Sequence, residues 1–410
     1  ARGKSGLVAS AKVDVKNPIQ LRVKGEGDGY GFYYSTDGTD FVQLGNTVPG
    51  DILSTNVAGG FTGCLIGLYA TSANDIVVNN LKDAYADYFT VGCAINMANL
   101  NSPQQMALIT SNFNSITAEN DMKPQPTEPV EGQWNWESAD KIANFARANK
   151  IGLRGHCLVW HNQTPEWFFC EKYDAGNAKV NKETMKKRME SYIKKVLSFC
   201  QEKYPGVVYA WDVVNEACDD GGGYRTSSLW YEIYGDESYI EDAFTFARKY
   251  ADKDVKLFYN DYNEYMPSKV STIAELVKKL YDKKLIDGVG FQSHWDMNYP
   301  DTGMISDAMQ KYSEIGDLEI QFTEVDMHNT DDSEEGLKKL ADRYKEFFEM
   351  IVKADREGKA NVTSVTFWGL SDDVTWLTSF KGEDSYPLLF DESHKKKACY
   401  DSVLAVGNEK

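Results

Sequence analysis

Two short acidic stretches, Trp211-Asp-Val-Val-Asn-Glu216-Ala217 and Gln321-Phe-Thr-Glu324-Val-Asp326-Met327, indicate the fold of this chain. Each begins as a run of apolar, β-favouring residues and reaches a glutamate near its end. Parallel barrels have this pattern because their buried strands carry polar side chains into the loops at the carboxyl ends. The two stretches therefore predict a parallel barrel with Glu216 and Glu324 at the same end.

The rest of the chain from Tyr88 onward supports this prediction. Apolar strand-like runs alternate eight times with helical patterns, as in successive βα units. No glycine-rich phosphate turn follows the first strand, which argues against an open doubly wound sheet. We therefore predict an α/β fold, a (β/α)8 TIM barrel. The predicted strands are 89–96, 115–121, 152–160, 208–217, 256–263, 288–295, 319–327 and 364–370, and the predicted helices are 103–113, 137–150, 181–203, 237–252, 268–284, 302–315, 334–357 and 395–406.

The first 80 residues differ from the rest in their pattern. Short β-favouring runs at 12–15, 20–24, 31–34, 41–44, 64–69 and 76–78 are separated by glycine-rich turns, and Asp37-Gly38 is a turn signal before the fourth. No helical period is evident. We predict a small N-terminal all-β module, a partial sandwich, over residues 1–80 and the barrel over residues 81–410.

Composition excludes several classes of function. The chain has 44 Lys and Arg against 62 Asp and Glu, and a net charge of −18 disfavours nucleic acid and anionic membranes as partners. No apolar run approaches the roughly 18 residues of a membrane span, and Ala1 to Leu7 lack the apolar core of a secretory signal. The seven cysteines show no CxxC spacing, so we expect buried thiols and neither a zinc site nor a dense disulfide framework. We predict no metal requirement and no cofactor.

Polar residues gather where the predicted strands end, as a barrel active site requires. Candidates to carry chemistry occur at seven of the eight strand ends, and four of the five histidines lie in or just after one. The clusters are 119–123, 156–163, 215–216, 260–263, 292–295, 324–326 and Trp368.

Six motifs in this order resemble glycoside hydrolase family 10. They are Gly155-His-Cys-Leu-Val-Trp-His161, Trp211-Asp-Val-Val-Asn-Glu216-Ala217, Asn260-Asp-Tyr-Asn263, Gly290-Phe-Gln-Ser-His294, Thr323-Glu-Val-Asp326 and Thr366-Phe-Trp-Gly369. The resemblance extends from about Leu81 to Val406. It implies endo-acting hydrolysis of β-1,4-xylosidic bonds, with xylan and xylo-oligosaccharides as partners and an extracellular or cell-surface location.

The resemblance implies a role for each matched residue. Glu216 corresponds to the acid/base and Glu324 to the nucleophile of a retaining double displacement, in which the two carboxyls stand about 5 to 5.5 Å apart. His294, Asp326 and Asn215 correspond to residues that support the two glutamates. The substrate-binding positions implied in this way are Glu119, Asn120, Lys123, His156, Trp160, Gln163, Tyr262, Gln292, Trp368 and Trp376.

Other interpretations of these residues remain open at the level of sequence. Tryptophans such as Trp160, Trp368 and Trp376 are commonly core residues, and His156 is as well explained by a structural role. A β-1,4-glucanase would use the same catalytic pair, because xylose and glucose differ only by a hydroxymethyl group. A catalytically silent carbohydrate-binding barrel is a third hypothesis.

The N-terminal module resembles part of the concanavalin-like sandwich that accompanies family 43 β-xylosidases. The resemblance is carried by Tyr33-Tyr-Ser-Thr-Asp-Gly38 and by Thr55-Asn-Val-Ala-Gly-Gly-Phe-Thr-Gly63. Part of a sandwich exposes strand edges and an apolar face. We therefore expect this segment to pack on the barrel or on another chain.

Overall fold

The computed structural model describes residues 9–11, 19–50 and 78–409. The chain divides into two compact units, Ala1–Ile76 and Val77–Lys410.

The described part of the first unit is a four-stranded antiparallel sheet. Its strands are Gln20–Glu26, Gly29–Ser35, Val42–Gln43 and Val48–Pro49, and the second of these pairs with each of the others. Oδ1 of Asp37 accepts the backbone N–H groups of Thr39 and Asp40, both at 2.8 Å, in the predicted turn. The predicted all-β character is confirmed for this part; the predicted strands at 12–15 and 64–69, and residues 76 and 77, lie outside the described residues.

The second unit contains a closed barrel of eight parallel strands, so the predicted TIM barrel is confirmed. Each strand pairs with its neighbours in the sequence, and the last strand pairs with the first. The strands are β1 (Thr90–Ile95), β2 (Ser115–Ala118), β3 (Gly152–Gly155), β4 (Val208–Asn215), β5 (Lys256–Asp261), β6 (Gly288–Phe291), β7 (Glu319–His328) and β8 (Asn361–Phe367).

One long helix follows each strand. These helices are α1 (Pro103–Asn112), α2 (Glu137–Asn149), α3 (Lys182–Lys203), α4 (Ser238–Tyr250), α5 (Pro267–Asp282), α6 (Thr302–Ser313), α7 (Glu334–Arg356) and α8 (Ala398–Asn408). Short helices that the sequence did not predict lie at Leu81–Ala84, Met97–Leu100, Pro124–Thr127, Leu229–Tyr234 and Trp376–Lys381, and 3-10 turns at Glu166–Phe169, Glu171–Tyr173 and Asp372–Val374.

Apolar stripes and side-chain caps both support these helices, and four of the eight long helices begin at such a cap. In α7, Leu340, Tyr344, Phe347, Phe348 and Ile351 are fully buried at a spacing of three and four residues, which places them on one face. The side chains that cap the first turns of α3, α6 and α7 accept a backbone N–H at each helix start, which satisfies an otherwise unpaired donor. These caps are Asn181, Asp301 and Ser333.

The barrel interior holds a buried ion pair below the carboxyl ends of the strands. Arg154 of β3 donates to both carboxylate oxygens of Asp212 of β4, with an Nη2 to Oδ1 distance of 2.7 Å. Nε of Arg154 donates to Oε1 of Gln321 of β7 at 2.9 Å, which ties a third strand to the pair. Arg154 and Asp212 are 1% and 0% exposed, so the two charges depend on each other for stabilisation.

Two predicted strands are interrupted in the structure. The segment predicted as 288–295 divides into β6 and a short strand His294–Asp296, because Ser293 has φ of +66° and cannot continue a ladder. The segment predicted as 152–160 divides into β3 and Val159–Trp160. These short strands extend the barrel at its carboxyl end, where Trp160 pairs with Asn215 and His294 pairs with Asp326.

Six cysteines in the described part of the chain are free and buried, as predicted.

Candidate active site

The Glu216 carboxyl lies just beyond the end of β4 and is surrounded by neutral donors. Nε1 of Trp160 donates to Oε2 at 2.9 Å. Nε2 of Gln292 and Nδ2 of Asn215 donate to Oε1 at 2.9 and 3.1 Å. Three donors on three strand ends therefore fix the direction of this carboxyl.

Glu324 projects from β7 into the same polar cluster and is 5% exposed. Its Oε1 accepts from Nδ2 of Asn260 at 2.8 Å, and its Oε2 lies 3.2 Å from Nε2 of His294. Nδ2 of Asn260 also donates to Oδ1 of Asn215 at 2.8 Å. Since Asn215 in turn donates to Glu216, an unbroken chain of hydrogen bonds joins the two carboxyls.

His294 lies between two carboxylates. Its Nδ1 is 2.9 Å from Oδ1 of Asp326, whose other oxygen accepts from Nε1 of Trp376 at 2.8 Å. Burial alone would lower the pKa of His294, but the charges of Asp326 and Glu324 raise it to about 10. The imidazole is therefore a cation at neutral pH, and Nε2 donates to Glu324.

The same arrangement keeps Glu324 ionised. Burial would raise the pKa of Glu324, but the hydrogen bond from His294 and the positive charges of His156, His294 and Lys123 hold this pKa at about 2. A carboxylate that is deprotonated and directed by two donors is suited to act as a nucleophile.

A second group of polar side chains lies at the ends of β2 and β3. Nζ of Lys123 donates to Oδ1 of Asn120 at 2.9 Å, and the same oxygen accepts from Nε2 of Gln163 at 3.3 Å. Lys123 also stands 4.9 Å from the centre of the Trp160 ring, which links this group to Glu216. The structure thus brings four predicted substrate-binding residues together beside the carboxyl pair.

His156 and Trp368 join the second group to the surroundings of Glu324. The Trp368 ring centre is 5.5 Å from that of His156 and 6.3 Å from that of His294, in edge-on geometry. Nδ1 of His156 is 2.8 Å from Oδ2 of Asp212, so the buried ion pair of the barrel interior sets the orientation of this ring.

Two predicted residues lie at the edges of the cluster. The hydroxyl of Tyr262 accepts from Nη2 of Arg225 at 2.9 Å, and Arg225 donates through Nε to the backbone carbonyl of Glu216 at 3.0 Å. Glu119 accepts from Nδ2 of Asn96 at 3.1 Å, at the ends of β1 and β2.

Several residues that shape the site were not among the predicted site residues. Asn260 was recognised only as part of a motif, although it bonds to both Glu324 and Asn215. Asp212 stands between apolar residues within a strand, and a charge at such a position could have indicated an interior ion pair. Arg225 lies in a loop, and its sequence context carries no signal.

Strained backbone is concentrated at this end of the barrel. Gln163, Glu216, Asn263 and Ser293 all follow strand ends and have φ between +45° and +66°. Residues other than glycine adopt this conformation infrequently, and such residues cluster at functional sites.

Neither a metal-binding cluster nor a membrane-spanning helix occurs among the described residues. In that part of the chain, no group of three or more His, Cys, Asp or Glu side chains is placed to hold a metal ion. No helix described there is long and apolar enough to cross a membrane.

Glycoside hydrolases typically place two carboxyls at the carboxyl ends of the strands of a closed parallel barrel, as in this structure, where amide side chains connect the two carboxyls through hydrogen bonds. Comparison with known families agrees. The protein-family model described as glycosyl hydrolase family 10 matches residues 80–406, and the chain belongs to this family. A second model, described as the beta xylosidase C-terminal concanavalin A-like domain, matches residues 1–92. Both resemblances inferred from sequence are confirmed.

Relatives and solved structures support the same family. Endo-1,4-beta-xylanase B of Butyrivibrio fibrisolvens is 48% identical over 338 residues, which cover 79% of this chain and 53% of that protein. The chain thus spans about half the length of this relative. A Clostridium thermocellum endo-1,4-beta-D-xylanase structure with bound xylohexaose has a TM-score of 0.74 and 40% identity, covering 80% of this chain and 70% of that one.

A further solved structure shares the fold. An intracellular xylanase of Thermoanaerobacterium saccharolyticum, solved with xylotetraose, has a TM-score of 0.73 and 37% identity, covering 80% of this chain and 98% of that one. The extracellular location stays a prediction.

Proposed function

We propose that this protein hydrolyses internal β-1,4-xylosidic bonds of xylan with net retention, with Glu216 as acid/base and Glu324 as nucleophile. The observation that carries the proposal is the hydrogen-bonded cluster that contains both carboxyls. In this cluster Glu324 accepts from a cationic imidazole and an amide, whereas Glu216 accepts only from neutral donors. The two environments suit the two roles that retaining glycosidases require.

In the first step, the carboxylate of Glu324 attacks the anomeric carbon of the sugar. The bond from that carbon to the glycosidic oxygen breaks, and Glu216 gives its proton to the departing oxygen. The transition state resembles an oxocarbenium ion, which the adjacent carboxylate stabilises. The products are a glycosyl ester of Glu324 and the released part of the xylan chain.

In the second step, a water molecule attacks the anomeric carbon of the ester. Glu216, now ionised, takes a proton from the water as the carbon–oxygen bond to Glu324 breaks. Both carboxyls return to their starting states. Two inversions at one carbon give net retention of configuration.

The substrate assignment rests on the relatives and on the residues around the pair. Relatives of this chain carry the name endo-1,4-beta-xylanase or were solved with xylo-oligosaccharides. In this chain, Lys123, Asn120 and Gln163 offer charged and amide hydrogen-bonding groups beside Glu216, which suits a neutral polyhydroxyl ligand.

The experiment that tests the proposal measures release of reducing ends from xylan. The native protein is compared with Glu216→Gln and Glu324→Gln. Glu319→Gln serves as the matched control, because Glu319 begins β7, the strand that carries Glu324, at the opposite end of the barrel. We expect each site variant to lose about 100-fold or more in rate, and the control to retain native activity. Equal measurable rates in all four proteins would refute the catalytic role of both glutamates, and no release by the native protein would leave a binding function only.

The same assay on carboxymethylcellulose addresses the glucanase hypothesis. The Trp376 and Trp368 rings lie 4.8 and 6.3 Å from the ring of His294, close to the nucleophile. We expect these indoles to crowd a hydroxymethyl group and hydrolysis of xylan to be the faster reaction. Faster hydrolysis of carboxymethylcellulose would assign the scaffold to β-1,4-glucan.

A further inference from the structure

The backbone of Glu216 has an unfavourable conformation that its surroundings must impose. Its φ is +57°, in the left-handed region, although the residue carries a long side chain. Such a conformation is costly for an L-residue outside glycine. The direction in which the Glu216 carboxyl leaves the chain depends on this backbone, so whatever holds the turn also aims the carboxyl.

Hydrogen bonds hold the turn Glu216–Cys218 from both sides. The N–H of Glu216 donates to the carbonyl of Asn260 at 2.9 Å, and the carbonyl of Glu216 accepts from Nε of Arg225 at 3.0 Å. The next two N–H groups, those of Ala217 and Cys218, both donate to the hydroxyl oxygen of Tyr259 at 3.0 Å.

The Tyr259 hydroxyl is itself oriented by a buried ion pair. It donates its proton to Oδ2 of Asp261, and Oδ1 of Asp261 is 2.9 Å from Nζ of Lys269. Tyr259, Asp261 and Lys269 are all fully buried. Because the hydroxyl proton points to Asp261, the oxygen lone pairs are left for the two backbone N–H groups, and the hydroxyl cannot turn away without losing its acceptor.

We propose that Tyr259 is a positioning residue for the acid/base: its hydroxyl fixes the turn Glu216–Cys218 so that the Glu216 carboxyl is aimed at the glycosidic oxygen. This inference rests on the proposed function, since it assigns Glu216 the proton transfer. Tyr259 does not touch the carboxyl; it acts through the backbone that follows it. Loss of the hydroxyl leaves the N–H of Ala217 without this acceptor and leaves the N–H of Cys218 only its longer contact, 3.4 Å, with Oδ2 of Asp261, so the turn can relax.

The proposal makes a prediction that general loss of structure does not. Proton donation accelerates departure of a weakly acidic alcohol, but a strongly acidic phenol leaves without it. A misplaced acid therefore slows the first step only for the poorer leaving group. A general distortion of the site would slow attack by Glu324 on every substrate to a similar extent.

The experiment compares kcat/KM of native protein and Tyr259→Phe on two aryl β-xylobiosides, phenyl and 2,4-dinitrophenyl. We expect about a tenfold or greater fall on the phenyl substrate and less than about a twofold change on the dinitrophenyl substrate. Tyr85→Phe is the matched control, because Tyr85 is fully buried and its hydroxyl donates to the carbonyl of Val403 at 2.6 Å, within the α8 helix. It should leave both values unchanged.

Equal losses on the two substrates, or no loss on either, would overturn the proposal. Thermal unfolding of each variant verifies that it is folded at the assay temperature. If Tyr259→Phe does not fold, Arg225→Met replaces it. This change removes the hydrogen bond from Arg225 to the carbonyl of Glu216, so the same dependence on the leaving group is expected. A native protein inactive on both substrates would instead refute the proposed function, so the two failures are distinguishable.

Discussion

Gly290 leaves the space that the side chain of Asn260 occupies. A methyl group at Gly290 would lie 2.3 Å from Oδ1 of Asn260, well inside van der Waals contact. The two residues are register partners on β5 and β6, and the amide of Asn260 reaches over the bare glycine to Glu324 and Asn215. The absence of one side chain is therefore part of what holds the carboxyl cluster together.

Substitution of Gly290 by alanine should damage both the fold and the site. Gly290→Ala displaces Asn260, so Glu324 and Asn215 lose a shared donor. We expect the free energy of unfolding to fall by about 1 to 3 kcal/mol and kcat on xylotetraose to fall about tenfold or more. Urea unfolding and initial-rate kinetics measure the two effects. Gly176→Ala, where the nearest atom to an added methyl is at 3.5 Å, should change neither.

Removal of His294 should move the acidic limb of the pH profile. The pKa of Glu324 is about 2 although burial raises it, because His294 donates to the carboxylate and supplies positive charge. In His294→Ala the raising effect of burial remains, so Glu324 takes up a proton at higher pH. We expect the acidic limb of kcat/KM to move upward by about 1 pH unit or more. His328→Ala is the control, since His328 lies on β7, the strand that carries Glu324, and contacts Ser385 instead. An unmoved limb in His294→Ala would contradict this account.

The charge on His294 can be observed directly. Its pKa of about 10 means that the imidazole keeps its second proton well above neutral pH, because the attraction of Asp326 and Glu324 exceeds the effect of burial. Imidazole nitrogen shifts in an NMR titration should show His294 still protonated at pH 8. In Asp326→Asn the same transition should occur at lower pH. A native His294 that titrates near pH 6.5 would be incompatible with the assigned network.

The ion pair inside the barrel should be sensitive to the loss of one partner. Asp212→Asn leaves the guanidinium of Arg154 buried without a counter-charge, and we expect the free energy of unfolding to drop by about 3 to 5 kcal/mol. Asp242→Asn is the comparison, because Asp242 pairs with a half-exposed Lys186 at 2.6 Å and should change stability by about 1 kcal/mol or less. Chemical denaturation measures both changes. Equal losses of unfolding free energy in the two variants would show that the interior ion pair contributes no more to stability than the surface pair.

Sequence patterns predicted the barrel because buried parallel strands and amphipathic helices leave strong periodic signals. All eight strands and all eight long helices occur where the patterns placed them. Ser293 shows where this reasoning fails, since a left-handed residue inside an apolar run is invisible to periodicity. The helix Leu229–Tyr234 was missed for a related reason: it is too short for its period to show.

The candidate site was predictable only as a set of residue types at strand ends. Which side chains bond to one another depends on register across strands, as for Asn260, which contacts residues 45 and 64 positions away. The hydrogen bonds of Tyr259 and Arg225 with the turn Glu216–Cys218 likewise leave no signal in the sequence, because they involve backbone atoms of the turn.

The most direct test of the central claim is to trap the ester between sugar and Glu324. A 2,4-dinitrophenyl β-xylobioside with fluorine in place of the 2-hydroxyl next to the scissile bond should form this ester quickly and hydrolyse it slowly. Fluorine disfavours the oxocarbenium-like transition state, and the good leaving group offsets that effect in the first step only. Mass spectrometry of peptides from the inactivated protein should place one fluorosugar on Glu324, and none in Glu324→Gln. A label on another carboxyl, or no label together with products of inverted configuration, would contradict the account.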